Sequence, residues 1–169
     1  MDTGPIISSE IIDINKHDNS KIVHDKLSQF TAELLVQVIK DYRDGVALPI
    51  NQKSYGIKYA NKIQKNESEI DWNLTAVEIF NKVRAFSPFP GTHTKYSDEI
   101  IKIIKTDLSE IIHSSEPGTI IETNQKIIIA CGSKSALEIK ALQKSGKKVI
   151  SAIDFLNSKK IHIGEKFGN

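Results

Sequence analysis

Ile70-Asp71-Trp72, Leu74-Thr75-Ala76-Val77-Glu78-Ile79 and Arg84-Ala85-Phe86-Ser87-Pro88-Phe89-Pro90-Gly91-Thr92 form the stretch whose reading decides the fold. It holds the only tryptophan and two of the five prolines. Thr75 and Glu78 have the spacing of a capping box, in which each side chain satisfies a free backbone N–H at a helix start. Leu74 before the cap and Ile79 after it can pack as a hydrophobic staple. The helix should stop near Phe86, because Ser87 precedes a proline and is pushed out of helical conformation. Pro88, Pro90 and Gly91 then turn the chain into a strand.

Beyond this block, short β-rich runs are expected at roughly 92–96, 99–106, 118–123, 126–130 and 136–142. Ser97-Asp98, the run from Ser114 to Pro117, Asn124-Gln125 and Gly132-Ser133 separate them. Five short strands with polar turns fit a small barrel or a sandwich. Ser151 and Asp154 form a second capping box, with Ile150 and Phe155 as its staple, and open a terminal helix. Before the block, residues 46–66 have no sustained period and contain Pro49 and Gly56, the pattern of a linker. A helix is expected from about Ser20 to Arg43, with Val23, Leu27, Phe30, Leu34 and Val38 on one apolar stripe. Asp44-Gly45 ends it. Ile6 to Ile14 is β-branched and partly alternating, which predicts a strand. One strand and one amphipathic helix cannot bury a core, so this segment should need a partner.

Net charge is only +2 over 169 residues, so no global field argues for nucleic acid. The distribution is uneven. Residues 1–60 carry 7 basic and 8 acidic side chains, residues 61–139 carry 9 and 11, and residues 140–169 carry 7 and 2. A basic C-terminal end fits either an RNA-facing surface or a solvated lysine face. A single cysteine, Cys131, excludes an intramolecular disulfide and fits a reducing compartment. No apolar run nears the roughly 20 residues of a membrane helix, and no signal peptide opens the chain. The expected protein is soluble and cytoplasmic, without a membrane partner.

The central block, with Tyr59-Ala60-Asn61-Lys62-Ile63 before it, resembles the methionyl-tRNA formyltransferase family at the junction of its catalytic and C-terminal domains. The resemblance continues through Pro117-Gly118-Thr119-Ile120, Leu142-Gln143, Gly146-Lys147-Lys148, Ser151-Ala152 and Asp154-Phe155-Leu156-Asn157-Ser158. It implies an α/β remnant at residues 1–45, a strand plus helix from a Rossmann-like formyltransferase domain. A linker at 46–66 and an open, oligonucleotide-binding-like barrel with flanking helices at 67–169 would follow. The implied activity is transfer of a formyl group from 10-formyltetrahydrofolate to the amino group of methionyl-initiator-tRNA. The implied partners are initiator methionyl-tRNA and a separate catalytic-domain chain; the family is typically monomeric and its site uses no metal.

Met1-Asp2-Thr3-Gly4 resembles the family's Asp-Thr-Gly segment, so Asp2 matches the catalytic aspartate. In the family it works with an upstream asparagine and histidine. Acyl transfer needs donors aimed at the developing oxyanion and a titratable group near the nucleophile. His17, His24, His93, His113 and His162 do not supply that histidine, and they lack metal-ligand spacing. A lone Asp2 is more simply a frayed terminal carboxylate. The expectation is a truncated chain, inactive alone, from a split or decayed gene or an internal start; the alternatives are a non-catalytic tRNA- or partner-binding module and a functionless remnant. For tRNA the expected contacts are Lys62, Lys65, Arg84, Lys144, Lys147 and Lys148, each able to neutralise a phosphate without reading sequence. Arg84 could equally pair with Asp71. Lys159 and Lys160 suit a helix C-terminus, and Trp72 and Phe86 suit a core.

Overall fold

A computed structural model describes residues 3–168. The chain divides into two compact units, one up to Ile63 and the other from Gln64.

The first unit contains one helix, α1, over Ser20–Arg43. Asn19 caps it by accepting the Ile22 N–H at 2.9 Å, and the Asp44 N–H closes its end on the Lys40 carbonyl at 2.9 Å. The predicted strand at 6–14 does not form. Only Ile6 pairs, as an isolated antiparallel bridge to Ile50, because no second strand lies in register beside residues 7–14. β-propensity without a ladder partner leaves the backbone irregular. Of the expected apolar stripe on α1, Val23, Leu34 and Val38 are half-buried and Leu27 and Phe30 exposed; no α1 residue is buried, and Leu35, Val36, Ile39 and Tyr42, outside that stripe, are exposed as well.

The second unit is a strand-rich half-barrel with helices. Its helix α2 spans Ala76–Phe86, and the reciprocal Thr75–Glu78 box is present. The Glu78 carboxylate accepts from the Thr75 hydroxyl at 2.7 Å and from the Thr75 N–H at 2.8 Å. Those bonds hold its pKa below the ordinary glutamate value. Ser87 is extended at ψ 132°, as the following proline requires. Strands β1 (Thr92–Tyr96), β2 (Glu99–Ser109), β3 (Ile120–Glu122), β4 (Ile127–Ala130), β5 (Ala136–Lys144) and β6 (Ile150–Ser151) follow, then helix α3 over Ala152–Ser158. The sheet order is β1-β2-β5-β4-β3, with β6 beside β5; every strand pair is antiparallel. Ser97 and Asp98 join β1 to β2 with positive φ at both positions, the hand that suits a two-residue hairpin. The β2–β5 register slips at Ile103, Lys105 and Thr106, and such bulges bend and twist a sheet.

One face of the sheet carries the core. Ile79, Phe80 and Val83 of α2 join Ile101, Ile103, Leu137, Ile139 and Leu142 in a single buried cluster. Trp72 belongs to it, with its indole N–H donating to Thr94 Oγ1 at 3.0 Å, so the tryptophan is a core residue. α2 is clipped to the barrel at Gly132. The Gly132 N–H faces the Trp72 and Leu74 carbonyls at 3.1 and 2.8 Å, while Ser135 Oγ accepts the Ala76 N–H at 2.8 Å. A β-carbon on Gly132 would sit 1.9 Å from the Asn73 carbonyl oxygen, so only glycine fits.

The C-terminal segment closes the barrel beyond α3. Ile120 and Gly164 exchange bonds with it across the β3 edge: the Ile120 N–H donates to the Glu165 carbonyl at 2.8 Å and the Gly164 N–H to the Ile120 carbonyl at 2.9 Å. The Gly168 N–H then reaches the Lys95 carbonyl on β1 at 2.8 Å. Phe167 stacks on Tyr96 at 4.7 Å between centroids and lies 6.1 Å from Trp72. The buried Tyr96 hydroxyl donates to the Glu165 carboxylate. Burial, then the Glu165 bond and charge, raise the Tyr96 pKa; the Tyr96 bond lowers that of Glu165 against its desolvation.

Gly132→Ala is expected to lower the unfolding free energy by about 3 kcal/mol, the upper end of overpacking costs, measured by urea titration of Trp72 fluorescence. Gly146→Ala, at a site open within 4 Å, should cost only the left-handed backbone penalty of about 1 kcal/mol. The Tyr96–Glu165 pair sets two pH limits. The depressed Glu165 pKa stabilises above the unfolded value of about 4.3, and that stability is lost as pH falls through the folded pKa. The raised Tyr96 pKa stabilises fully below about 10 and is lost as pH rises towards the folded value. Tyr96→Phe should flatten both limbs of the stability–pH profile.

Candidate nucleic-acid interface

The residues expected to meet RNA occupy several places on the fold. Lys147 and Lys148 stand exposed on the turn between β5 and β6. Gly146 makes that turn with φ +69°, a conformation glycine adopts without steric cost. The Lys147 N–H donates to the Lys144 carbonyl at 3.1 Å, and the Gln143 side-chain amide donates to the Lys147 carbonyl at 2.7 Å. The two ammonium groups are thus carried on a braced hairpin. Lys144, at its base, lies 3.5 Å from a Glu99 carboxylate oxygen and 5.4 Å from the Phe155 ring centroid. Its charge already has an intramolecular partner.

Arg84 lies in the last turn of α2 and is half-buried. Its Nε donates to Asn81 Oδ1 at 3.0 Å, and its guanidinium sits 5.7 Å from the Phe80 centroid. Asp71 accepts from the Asn73 N–H at 3.0 Å and from the Asn73 side-chain amide at 2.8 Å, which satisfies it locally. Lys65, itself exposed, opens a 3₁₀ turn over Lys65–Ser68, and Lys62 is an exposed residue of the first unit. Of the five in the second unit, Lys144, Lys147 and Lys148 share the β5–β6 hairpin. Asp2, the catalytic match, lies outside the described residues.

The sheet supplies cations that the sequence motifs did not single out. Thr92, Thr94 and Tyr96 of β1 are buried while Lys95 is exposed; Ile101 and Ile103 of β2 are buried while Lys102 is exposed. Lys95, Lys102 and, past the bulge, Lys105 therefore stand on the face opposite the core. The signal in the sequence was the alternation itself, Lys102 between two isoleucines. It becomes a surface only once the register is known.

The remaining chemistry-bearing side chains are structural. Burial pushes the Cys131 thiol up to about 12, so it stays protonated and is no nucleophile. His113 Nε2 donates to the Ser135 carbonyl at 2.7 Å, holding its loop to the β4–β5 turn. Among the described residues no group of three His, Cys, Asp or Glu side chains could hold a metal ion, and no helix is long and apolar enough to cross a membrane. A cavity of about 460 Å³ is lined by Tyr96, Ser97, Asp98, Gly164, Glu165 and Lys166. Another of about 500 Å³ in the first unit includes Asp13, Lys26, Phe30 and Glu33.

The formyl transferase C-terminal domain family matches residues 62–160. The methionyl-tRNA formyltransferase of Dictyoglomus turgidum is 38% identical, over 100% of this chain and 55% of that protein. Those of Rickettsia bellii and Staphylococcus aureus are 38% and 36% identical over 98% of the chain, and over 53% and 54% of their own lengths. The chain spans about half the length of these curated relatives. Among solved structures, HypX from Aquifex aeolicus in complex with tetrahydrofolic acid superposes with a TM-score of 0.63 at 13% identity, over 96% of this chain and 31% of that one. The N-formyltransferase of Helicobacter canadensis in complex with folinic acid and dTDP-3-aminofucose gives 0.64 at 21% identity, over 85% and 51%. At those identities the likeness is one of fold. The chain belongs to the formyl transferase C-terminal domain family, and the relatives matched along its length are methionyl-tRNA formyltransferases.

Proposed function

We propose that these residues grip initiator methionyl-tRNA for the methionyl-tRNA formyltransferase reaction, in the cytoplasm during translation initiation. The observation that carries this reading is the match along the whole chain to enzymes of that name, at 36–38% identity. On this reading the half-barrel is the family's oligonucleotide-binding-like domain, residues 1–45 are the end of a Rossmann-like catalytic domain, and residues 46–66 are the linker between them. Lys147 and Lys148 on their braced turn, with Lys144, Lys62, Lys65 and Arg84, neutralise phosphates and so position the acceptor arm without reading its sequence.

The formyl group comes from 10-formyltetrahydrofolate, bound by residues other than those of the barrel. Asp2 takes part in proton transfer only when an asparagine and a histidine hold it against the reacting amine, since positioning carries much of the rate. A separate catalytic-domain chain is one source of those two residues. The exposed Leu27 and Phe30 of the α1 stripe, with Leu35, Val36, Ile39 and Tyr42 on the same helix, support such a partner, because apolar side chains gathered on an exposed helix mark an interaction surface.

The test is a titration of the purified chain with initiator tRNA at two salt concentrations, beside a formylation assay. Binding should weaken steeply with salt, and Lys147→Ala with Lys148→Ala should make the log–log slope shallower by about 0.7–0.9 for each phosphate no longer neutralised. The chain alone should leave methionyl-tRNA unformylated. Binding that ignores salt, or formylation by the isolated chain, would contradict the reading.

A further inference from the structure

Residues 161–168 close the barrel as turns and one isolated bridge, Lys166 to Thr119, and not as a strand ladder. Their backbone bonds are spread out. Gly164 and Glu165 bond to Ile120, the Phe167 N–H donates to the Gly118 carbonyl at 2.9 Å, and the Gly168 N–H to the Lys95 carbonyl at 2.8 Å. Within this stretch only Ile161 and Phe167 are buried. Gly164 and Gly168 have φ of +94° and +93°, and a β-carbon on Gly164 would meet open space. The docked position is nonetheless well defined. A β-carbon on Gly118 would lie 2.4 Å from the Phe167 carbonyl oxygen.

The stretch also spans a gap. Its Gly164, Glu165 and Lys166 form one wall of the 460 Å³ cavity, and Tyr96, Ser97 and Asp98 form the other. Side chains facing a gap lose the dispersion contacts that hold a packed segment down. Polar attachments take their place. The Tyr96 hydroxyl donates to the Glu165 carboxylate, which also accepts the His162 N–H at 3.3 Å. The Lys159 ammonium stands 4.6 Å from the Tyr96 ring centroid, and Asp98 and Lys166 line the same gap. Lys166 is turned to Glu116, whose side chain is 77% exposed, so that pair adds little. Few buried apolar groups, scattered backbone bonds and an unfilled gap are the marks of a segment that opens locally. The family match ends at residue 160, so the segment lies just beyond the matched region.

We propose that residues 161–168 are a releasable strap, latched by the Tyr96–Glu165 bond, that opens as a unit while the rest of the half-barrel stays folded. Opening frees the Ile120 N–H and carbonyl on β3 and the Lys95 carbonyl on β1, and uncovers Tyr96 and Trp72. The strap thereby decides whether those edge groups are covered or bare. The proposal is independent of the RNA reading. Acid favours the open form: closing lowers the Glu165 pKa, so the latch acts above the open-state value of about 4.3 and fails as pH falls through the closed-state value.

The test is hydrogen exchange of the full chain, read amide by amide across low urea concentrations. The Gly164, Phe167 and Gly168 amides should exchange at least about 100-fold faster than those of Ile129 and Leu137, with rates independent of urea. Tyr96→Phe and, separately, Glu165→Ala should speed the strap amides about tenfold, the effect of losing one charge-assisted hydrogen bond. Ile129 and Leu137 should be unchanged in both, and the control Glu110→Ala should match the wild type. Between about pH 7 and about pH 4 the wild-type strap should lose protection, and Tyr96→Phe should lose much less. Strap amides that share the rate and urea dependence of Ile129 would overturn the strap. Wild-type strap rates in both latch variants would overturn the latch. Should a variant unfold, seen as lost Ile129 protection, the wild-type urea and pH series decide alone.

Discussion

The close approach of Gly132 to the Asn73 carbonyl is the contact on which the rest of the half-barrel depends. A β-carbon there would lie 1.9 Å from that oxygen, so the turn between β4 and β5 can reach the segment before α2 only as glycine. That approach fixes three things together. It satisfies the Trp72 and Leu74 carbonyls, brings Ser135 Oγ under the Ala76 N–H, and aims the apolar face of α2 into the cluster holding Ile101, Ile103 and Leu137. Trp72 is buried as a consequence, and its indole finds Thr94. Helix, sheet and tryptophan are thereby locked by one backbone contact.

Covering one face of an antiparallel sheet leaves the other available. α2 takes the inner face, and the C-terminal segment takes the β3 edge through Ile120 and reaches β1 through Lys95. Edge strands left bare invite pairing with other chains, and the segment covering β3 removes part of that hazard. What remains is the outer face of β1, β2 and β5, where the side chains that alternate with buried isoleucines and threonines include Lys95 and Lys102. The route from fold to function thus runs through period-two alternation: the same strands that bury apolar residues inward present cations outward.

Local chemistry was legible in the sequence. The Thr75–Glu78 box, the stop at Ser87, the Ser151–Asp154 cap, the extent of α1 and the burial of Trp72 each follow from residues close in the chain. The methionyl-tRNA formyltransferase resemblance was legible for the same reason, because its motifs are contiguous. Features set by long-range pairing were not. Residues 6–14 have strand composition, yet only Ile6 finds a partner, since propensity cannot supply a neighbouring strand. The closing role of Glu165, Phe167 and Gly168 was invisible because it depends on where β3 and β1 end in space. Of the site, Lys147 and Lys148 could be read from a Gly-Lys-Lys turn. Lys144 is drawn into contacts with Glu99 and Phe155, and Arg84 into contacts with Asn81 and Phe80, through packing that spacing alone does not encode. The outward surface of Lys95 and Lys102 exists only in the register.

The most direct measurement is amide chemical-shift mapping of the isotopically labelled chain with an initiator-tRNA acceptor-stem hairpin. Perturbations concentrated on residues 93–105 and 143–148, and reversed by added salt, are the predicted result. Perturbations confined to α2 and the core-facing strand positions, or a spectrum unchanged by the RNA, would contradict the account.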